Sequence, residues 1–140
     1  MGGKATLLER VRRIRQRDGR YAPEAYSFLL EALDFTVRRL GKARRTGDER
    51  HVTGSDLAQG VLDCALDRFG LLAEAVLAGW GIRGTEDLGE IVFNMVEDGL
   101  MGKSGRDRRE DFHGVFDLRG AIRHKFRMEG KWENASTSGS

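Results

Sequence analysis

Apolar residues recur along this chain three and four positions apart, and nearly every such run closes on a glycine. Leu7, Leu8, Val11 and Ile14 precede Asp18-Gly19. Phe28, Leu29, Ala32, Leu33, Thr36, Val37 and Leu40 precede Gly41. Ala58, Val61, Leu62, Ala65, Leu66 and Phe69 precede Gly70, and Leu88, Ile91, Val92, Met95 and Val96 form a further stripe. This spacing places each set on one side of a helix of 3.6 residues per turn. Glycine readily takes the left-handed conformation in which helices end. The pattern predicts helices over Lys4–Arg17, Pro23–Leu40, Ser55–Phe69, Leu71–Ala78 and Glu86–Leu100. Pro23 suits a first turn, where its missing N–H costs nothing. Thr53 or Ser55 is expected to cap the third helix and Thr85 the fifth, with Glu86 and Asp87 against the positive end of the helix dipole. Tyr26, Leu30 and Phe35 widen the apolar face of the second helix, which marks it as the most buried.

The helical period lapses after Leu100. Met101–Leu118 reads as a two-stranded ribbon with Gly105-Arg106-Asp107-Arg108-Arg109 at its tip and Val115–Leu118 as the returning strand. A short helix is expected over Arg119–Met128. The fold class expected is mainly α, a compact bundle of about five helices with a small β-ribbon after the fifth, in the layout of a winged helix. Residues 1–130 read as one helical domain and 131–140, rich in Ser, Thr and Gly, as a disordered tail.

The chain has 140 residues, enough for one core. No apolar run approaches the length of a membrane helix, and Met1–Gly19 lacks the apolar stretch of a secretory leader. Cys64 is the single cysteine, which excludes an internal disulfide. Together these favour a reducing, cytoplasmic setting.

Charge is segregated. Residues 1–51 hold 13 basic and 7 acidic residues, 52–101 hold 2 and 9, and 102–140 hold 9 and 6, which nearly cancel to +2 overall. Such a layout either presents opposed basic and acidic faces to partners or pairs with itself. Arg outnumbers Lys by 19 to 5, a bias suited to forked contacts with phosphate or carboxylate.

One string of motifs is specific: Glu24-Ala25-Tyr26 running into Glu31-Ala32-Leu33-Asp34-Phe35-Thr36, then His51-Val52-Thr53-Gly54, Trp80-Gly81-Ile82, and Thr85-Glu86-Asp87-Leu88-Gly89-Glu90-Ile91-Val92-Phe93-Asn94. Over roughly residues 10 to 120 the chain resembles a family of small bacterial proteins of about this length. The resemblance implies membership and brings no activity, cofactor or catalytic residue with it.

Four chemistries can be weighed on the residues. A winged-helix DNA binder fits the layout, with Glu86–Leu100 as recognition helix. Its carboxylates, Glu86, Asp87, Glu90, Glu97 and Asp98, would repel the phosphates that such a helix must approach. RNA or ribonucleoprotein binding would use Arg10, Arg12, Arg13, Arg17 and Arg20 of the N-terminal segment, Tyr21 as a stacking ring, and Arg106, Arg108 and Arg109 of the ribbon tip. An enzyme is disfavoured. His51, His113, His124 and Cys64 lack metal-site spacing, Asp111 and His113 beside Glu110 have no positioned nucleophile, and no cofactor fingerprint is present. A protein-binding module would use the acidic helix, through Glu86, Glu90, Asn94 and Glu97, together with Trp80. Asn94 stands out, a lone amide among Ile91, Val92, Phe93, Met95 and Val96; it is expected either to satisfy a buried backbone group or to touch a partner. The reading that results is a non-enzymatic adaptor with no cofactor or metal, holding a macromolecular partner, protein in preference to RNA.

Overall fold

A computed structural model describes residues 6–41, 52–101 and 109–138, with side chains through residue 128. Helix α1 (Leu7–Arg17) opens with a reciprocal cap: the Glu9 amide donates to the Thr6 hydroxyl and the Thr6 amide to the Glu9 carboxylate. α2 (Pro23–Arg39) begins at Pro23. α3 (Gly54–Phe69) is capped by Thr53, paired with Asp56 in the same reciprocal way. A 3-10 turn (Gly70–Leu72) leads into α4 (Ala73–Gly79), where the sequence predicts one continuous helix from Leu71. α5 (Thr85–Glu97) and α6 (Leu118–Ser138) follow. α4 and α5 end on the same device, a six-to-one bond closed by a glycine at positive φ. Ile82 donates to the Leu77 carbonyl past Gly81 (φ 98°), and Leu100 to the Met95 carbonyl past Gly99 (φ 79°).

Three expectations are corrected. Thr85 does not cap α5. The Asp87 carboxylate takes that role, accepting from the amides of Arg83 (2.8 Å) and Gly84 (3.1 Å), while the buried Thr85 hydroxyl donates to the Phe112 carbonyl (2.6 Å). That bond fastens the following segment to α5. Residues Arg109–Phe112 form a 3-10 turn, Phe112 is buried, and Leu118 opens α6 rather than closing a strand. No strand occurs among the described residues, so the ribbon, and with it the winged-helix layout, is not supported. A lone two-stranded ribbon is marginal in water, and one buried phenylalanine with a buried hydroxyl–carbonyl bond favours a turn packed on a helix. The tip residues Gly105–Arg108, including Arg106 and Arg108, lie outside the described residues. Finally, α6 runs on to Ser138, past the Met128 end expected for this helix.

The helices share one core. One close contact joins α2 and α3, where Gly60 lies against Thr36, and a Cβ at Gly60 would overlap the Thr36 hydroxyl oxygen. α5 packs against α2 and buries Leu88, Ile91 and Met95 in the shared core. Phe28, Phe69 and Trp80 pack in tilted and edge-to-face arrangements with centroids 5.5–5.8 Å apart and tie α2, α3 and the end of α4 together.

Candidate functional site

The acidic helix α5 meets the basic N-terminal segment along one seam. In the loop after α1, Arg20 forms a two-pronged bond to Asp18 (Nε–Oδ1 2.9 Å, Nη2–Oδ2 2.7 Å) and reaches Glu90 of α5 (3.1 Å). The Asn94 amide donates to the same Asp18 Oδ2 (2.9 Å) and to the Tyr26 hydroxyl (3.1 Å). The Tyr21 hydroxyl donates to Asp87 (2.7 Å). At the far end of α5, Arg13 clasps Asp98 with two bonds of 2.7 and 3.1 Å. Paired guanidinium–carboxylate bonds of this kind fix orientation as well as energy.

The electrostatics follow the geometry. The Arg20 guanidinium, helped by the Asn94 amide, holds the Asp18 carboxyl far below the usual carboxylate range. Asp98 is likewise held down, mainly by Arg13, with Arg10 and Arg17 adding to it. Burial pushes the Tyr21 hydroxyl well up, and its bond to Asp87 adds to that, so Tyr21 is a neutral donor.

These bonds answer the question left by the charge layout. Several basic residues of both flanks pair with the acidic middle of the same chain: Arg13 with Asp98, Arg20 and Arg109 with Glu90, Arg39 and Lys125 with Asp63, Arg119 and Arg123 with Glu74. The sequence expects Asn94 to satisfy a buried backbone group or to touch a partner; among the described residues its amide nitrogen donates to two side chains, Asp18 and Tyr26. Asn94 is 5% exposed and belongs to the internal seam. Trp80 belongs to the aromatic cluster and is half-buried. Tyr21, 1% exposed, is core and offers no open ring for stacking.

What remains on the surface is narrower than the sequence set. On α5, Glu86, Glu90, Phe93 and Glu97 fall at i, i+4, i+7 and i+11, a single outward ridge; Glu86, Phe93 and Glu97 are exposed and Glu90 half-buried. Arg109 lies over it, its guanidinium carbon 4.2 Å from the Phe93 centroid and Nη1 3.4 Å from Glu90. On α1, Arg12 and Arg17 are exposed and Arg10 half-exposed. The signal that could have found the ridge is the i, i+4, i+7, i+11 spacing; the seam had no such signal, because it joins residues 66–85 positions apart.

The other candidates stay apart. Among the described residues no group of three or more His, Cys, Asp or Glu could hold a metal ion. Asp111 and His113 are exposed at the 3-10 turn, His124 is exposed on α6, and His51 lies outside the described residues. Cys64 is half-buried in a groove of about 760 Å³ between α2, α3 and α6 that is also lined by Glu31, Phe35, Asp63, Asp67 and Lys125. Burial pushes its thiol up, away from the reactive thiolate. Among the described residues no helix is long and apolar enough to cross a membrane. The chain matches no family model, no curated protein and no solved structure.

The residues of the motif string singled out in the sequence are mostly structural. Val52 is buried and Thr53 caps α3, Trp80 and Ile82 pack in the core, and Tyr26 and Asn94 meet in the seam.

Proposed function

We propose that this protein is a non-enzymatic adaptor that holds a protein partner along the outer ridge of α5, and that the partner offers arginine side chains. The arrangement of Arg109 carries this reading. Its guanidinium lies over Phe93 and against Glu90, a position that combines a cation–π contact with a carboxylate. Glu86 and Glu97 extend the same ridge on either side and have no ion pair among the described residues. A partner arginine would find there the chemistry Arg109 already uses. Arg109 is itself 44% exposed at the side chain, so it can be displaced. Such an adaptor needs no cofactor or metal. The single half-buried cysteine supports a cytoplasmic setting, and kinship with the bacterial family the motifs resemble belongs to the same proposal.

The test is binding of a fluorescent arginine-rich peptide by the full chain. Wild type should bind, and E86K/E97K should weaken binding at least tenfold while the circular dichroism spectrum is unchanged, since both side chains are exposed. Equal binding by wild type and variant would refute the ridge.

A second reading has its own observation. Arg12 and Arg17 of α1 are exposed, and Arg10 stands beside them, outside the bonds of the seam. That supports RNA or a ribonucleoprotein as partner, on a different face. RNA retention that falls steeply with salt and is lost in R10E/R12E/R17E would favour it.

A further inference from the structure

The 3-10 turn before α4 carries the two most exposed large apolar side chains among the described residues, Leu71 at 75% and Leu72 at 62%. They project from a stretch unlike the rest of the chain. A third of all residues are charged, yet Gly70–Ile82 holds one charge, Glu74. That charge is neutralised: Arg123 donates two bonds to it (2.8 and 3.0 Å) and Arg119 a third (3.2 Å). Both arginines come from α6, where Leu118–Met128 contains four cations and no carboxylate. Arg119, Arg123 and Arg127 stand at i, i+4 and i+8, so they line one side of α6, the side turned to α4. All three are exposed.

We propose that this Leu71–Leu72 tip and the arginine row beside it form a docking surface for an anionic lipid bilayer. Two exposed leucines alone, or three arginines alone, would bind a membrane only fleetingly, and stable peripheral association takes two signals together. Here an apolar tip is set next to a positive row, so leucines entering the acyl boundary leave the guanidinium groups at the level of the headgroups. Asp117 also acts on Arg123, and against it and Glu74 together the three arginines keep a positive surplus, the complement of a phosphate-bearing surface. A second copy of the chain is a poorer occupant: docking tip to tip about a two-fold axis would bring one arginine row toward the other. The surface is separate from the α5 ridge and does not depend on it.

Co-sedimentation of the full chain with vesicles tests this. Vesicles of phosphatidylcholine mixed with phosphatidylglycerol should carry the protein down, and vesicles of phosphatidylcholine alone should carry far less. L71S/L72S should lower binding to the anionic vesicles by more than about tenfold, from the burial lost with the two leucines. R127Q, which breaks no ion pair among the described residues, should lower it by about fivefold, the weight of one basic side chain at an anionic surface. Absence of binding to the anionic vesicles would overturn the proposal, as would binding that L71S/L72S leaves intact. A dimer in sedimentation velocity that L71S/L72S dissolves, without lipid binding, would assign the tip to self-association and overturn it too.

Discussion

Exchanging Asn94 for aspartate would put two carboxylates face to face inside the seam. The Asn94 nitrogen is 2.9 Å from Asp18 Oδ2, and the Asn94 side chain is almost wholly buried. Two like charges some 4 Å apart repel by about 4 kcal/mol at an effective dielectric of 20. The lost bond to a charged acceptor adds about 1.5–3 kcal/mol. Proximity to Arg20 and uptake of a proton limit the damage, so N94D is expected to lose about 3–5 kcal/mol near neutral pH. The N94A control removes the same amide without adding charge and should lose about 2–3 kcal/mol, because the buried Tyr26 hydroxyl loses its amide partner while Asp18 keeps Arg20. The difference between the two variants must depend on pH. The new carboxyl has a folded pKa above its unfolded value near 4, so its penalty is full at neutral pH and fades as pH falls toward about 4. Asp18 starts from far below that window, held there mainly by Arg20, so the new carboxyl is the one expected to take up the proton. Urea unfolding followed by circular dichroism at several pH values measures this. A variant N94D as stable as N94A at neutral pH, or a gap between them that ignores pH, would refute the seam as described.

Two further outcomes are expected. Gly60→Ala in a helix interior ordinarily gains up to about 1 kcal/mol; here the added Cβ meets the Thr36 hydroxyl oxygen, so overpacking should leave the variant about 1–2 kcal/mol less stable. The loss should shrink in a T36A background, and denaturant unfolding of the four proteins would contradict the α2–α3 packing if G60A proved more stable than wild type. Cys64 should react with a thiol reagent at neutral pH much more slowly in the folded protein than in urea, because burial raises its thiol and the neighbouring Asp63 adds to the effect; equal rates would argue against the groove as built.

The helices were legible because their cause is local. Apolar spacing, Thr53 before α3, Pro23 at the start of α2 and glycines at the ends act within one or two turns, and the chain obeys them. Thr85 misled because its hydroxyl has a tertiary partner, the Phe112 carbonyl, that outcompetes the local cap. The ribbon misled for a related reason: alternation and a charged tip describe a strand only if nothing better is within reach, and α5 supplied a surface for Phe112.

The site was half legible. Glu86, Glu90 and Glu97 share a ridge by helical arithmetic, which the sequence already contains. That Glu90 pairs with Arg20 and Arg109, that Asn94 answers Asp18 and Tyr26, and that Trp80 lies among Phe28 and Phe69 depend on segments far apart in the chain. By itself, then, the sequence determined a chain of amphipathic helices with segregated charge, since periodicity and composition are properties of neighbours. Only the tertiary structure decided which charges face each other and which face solvent. Ion pairing and burial act across distances of a few ångströms in space, and folding alone brings Arg13 to Asp98 across 85 positions of chain.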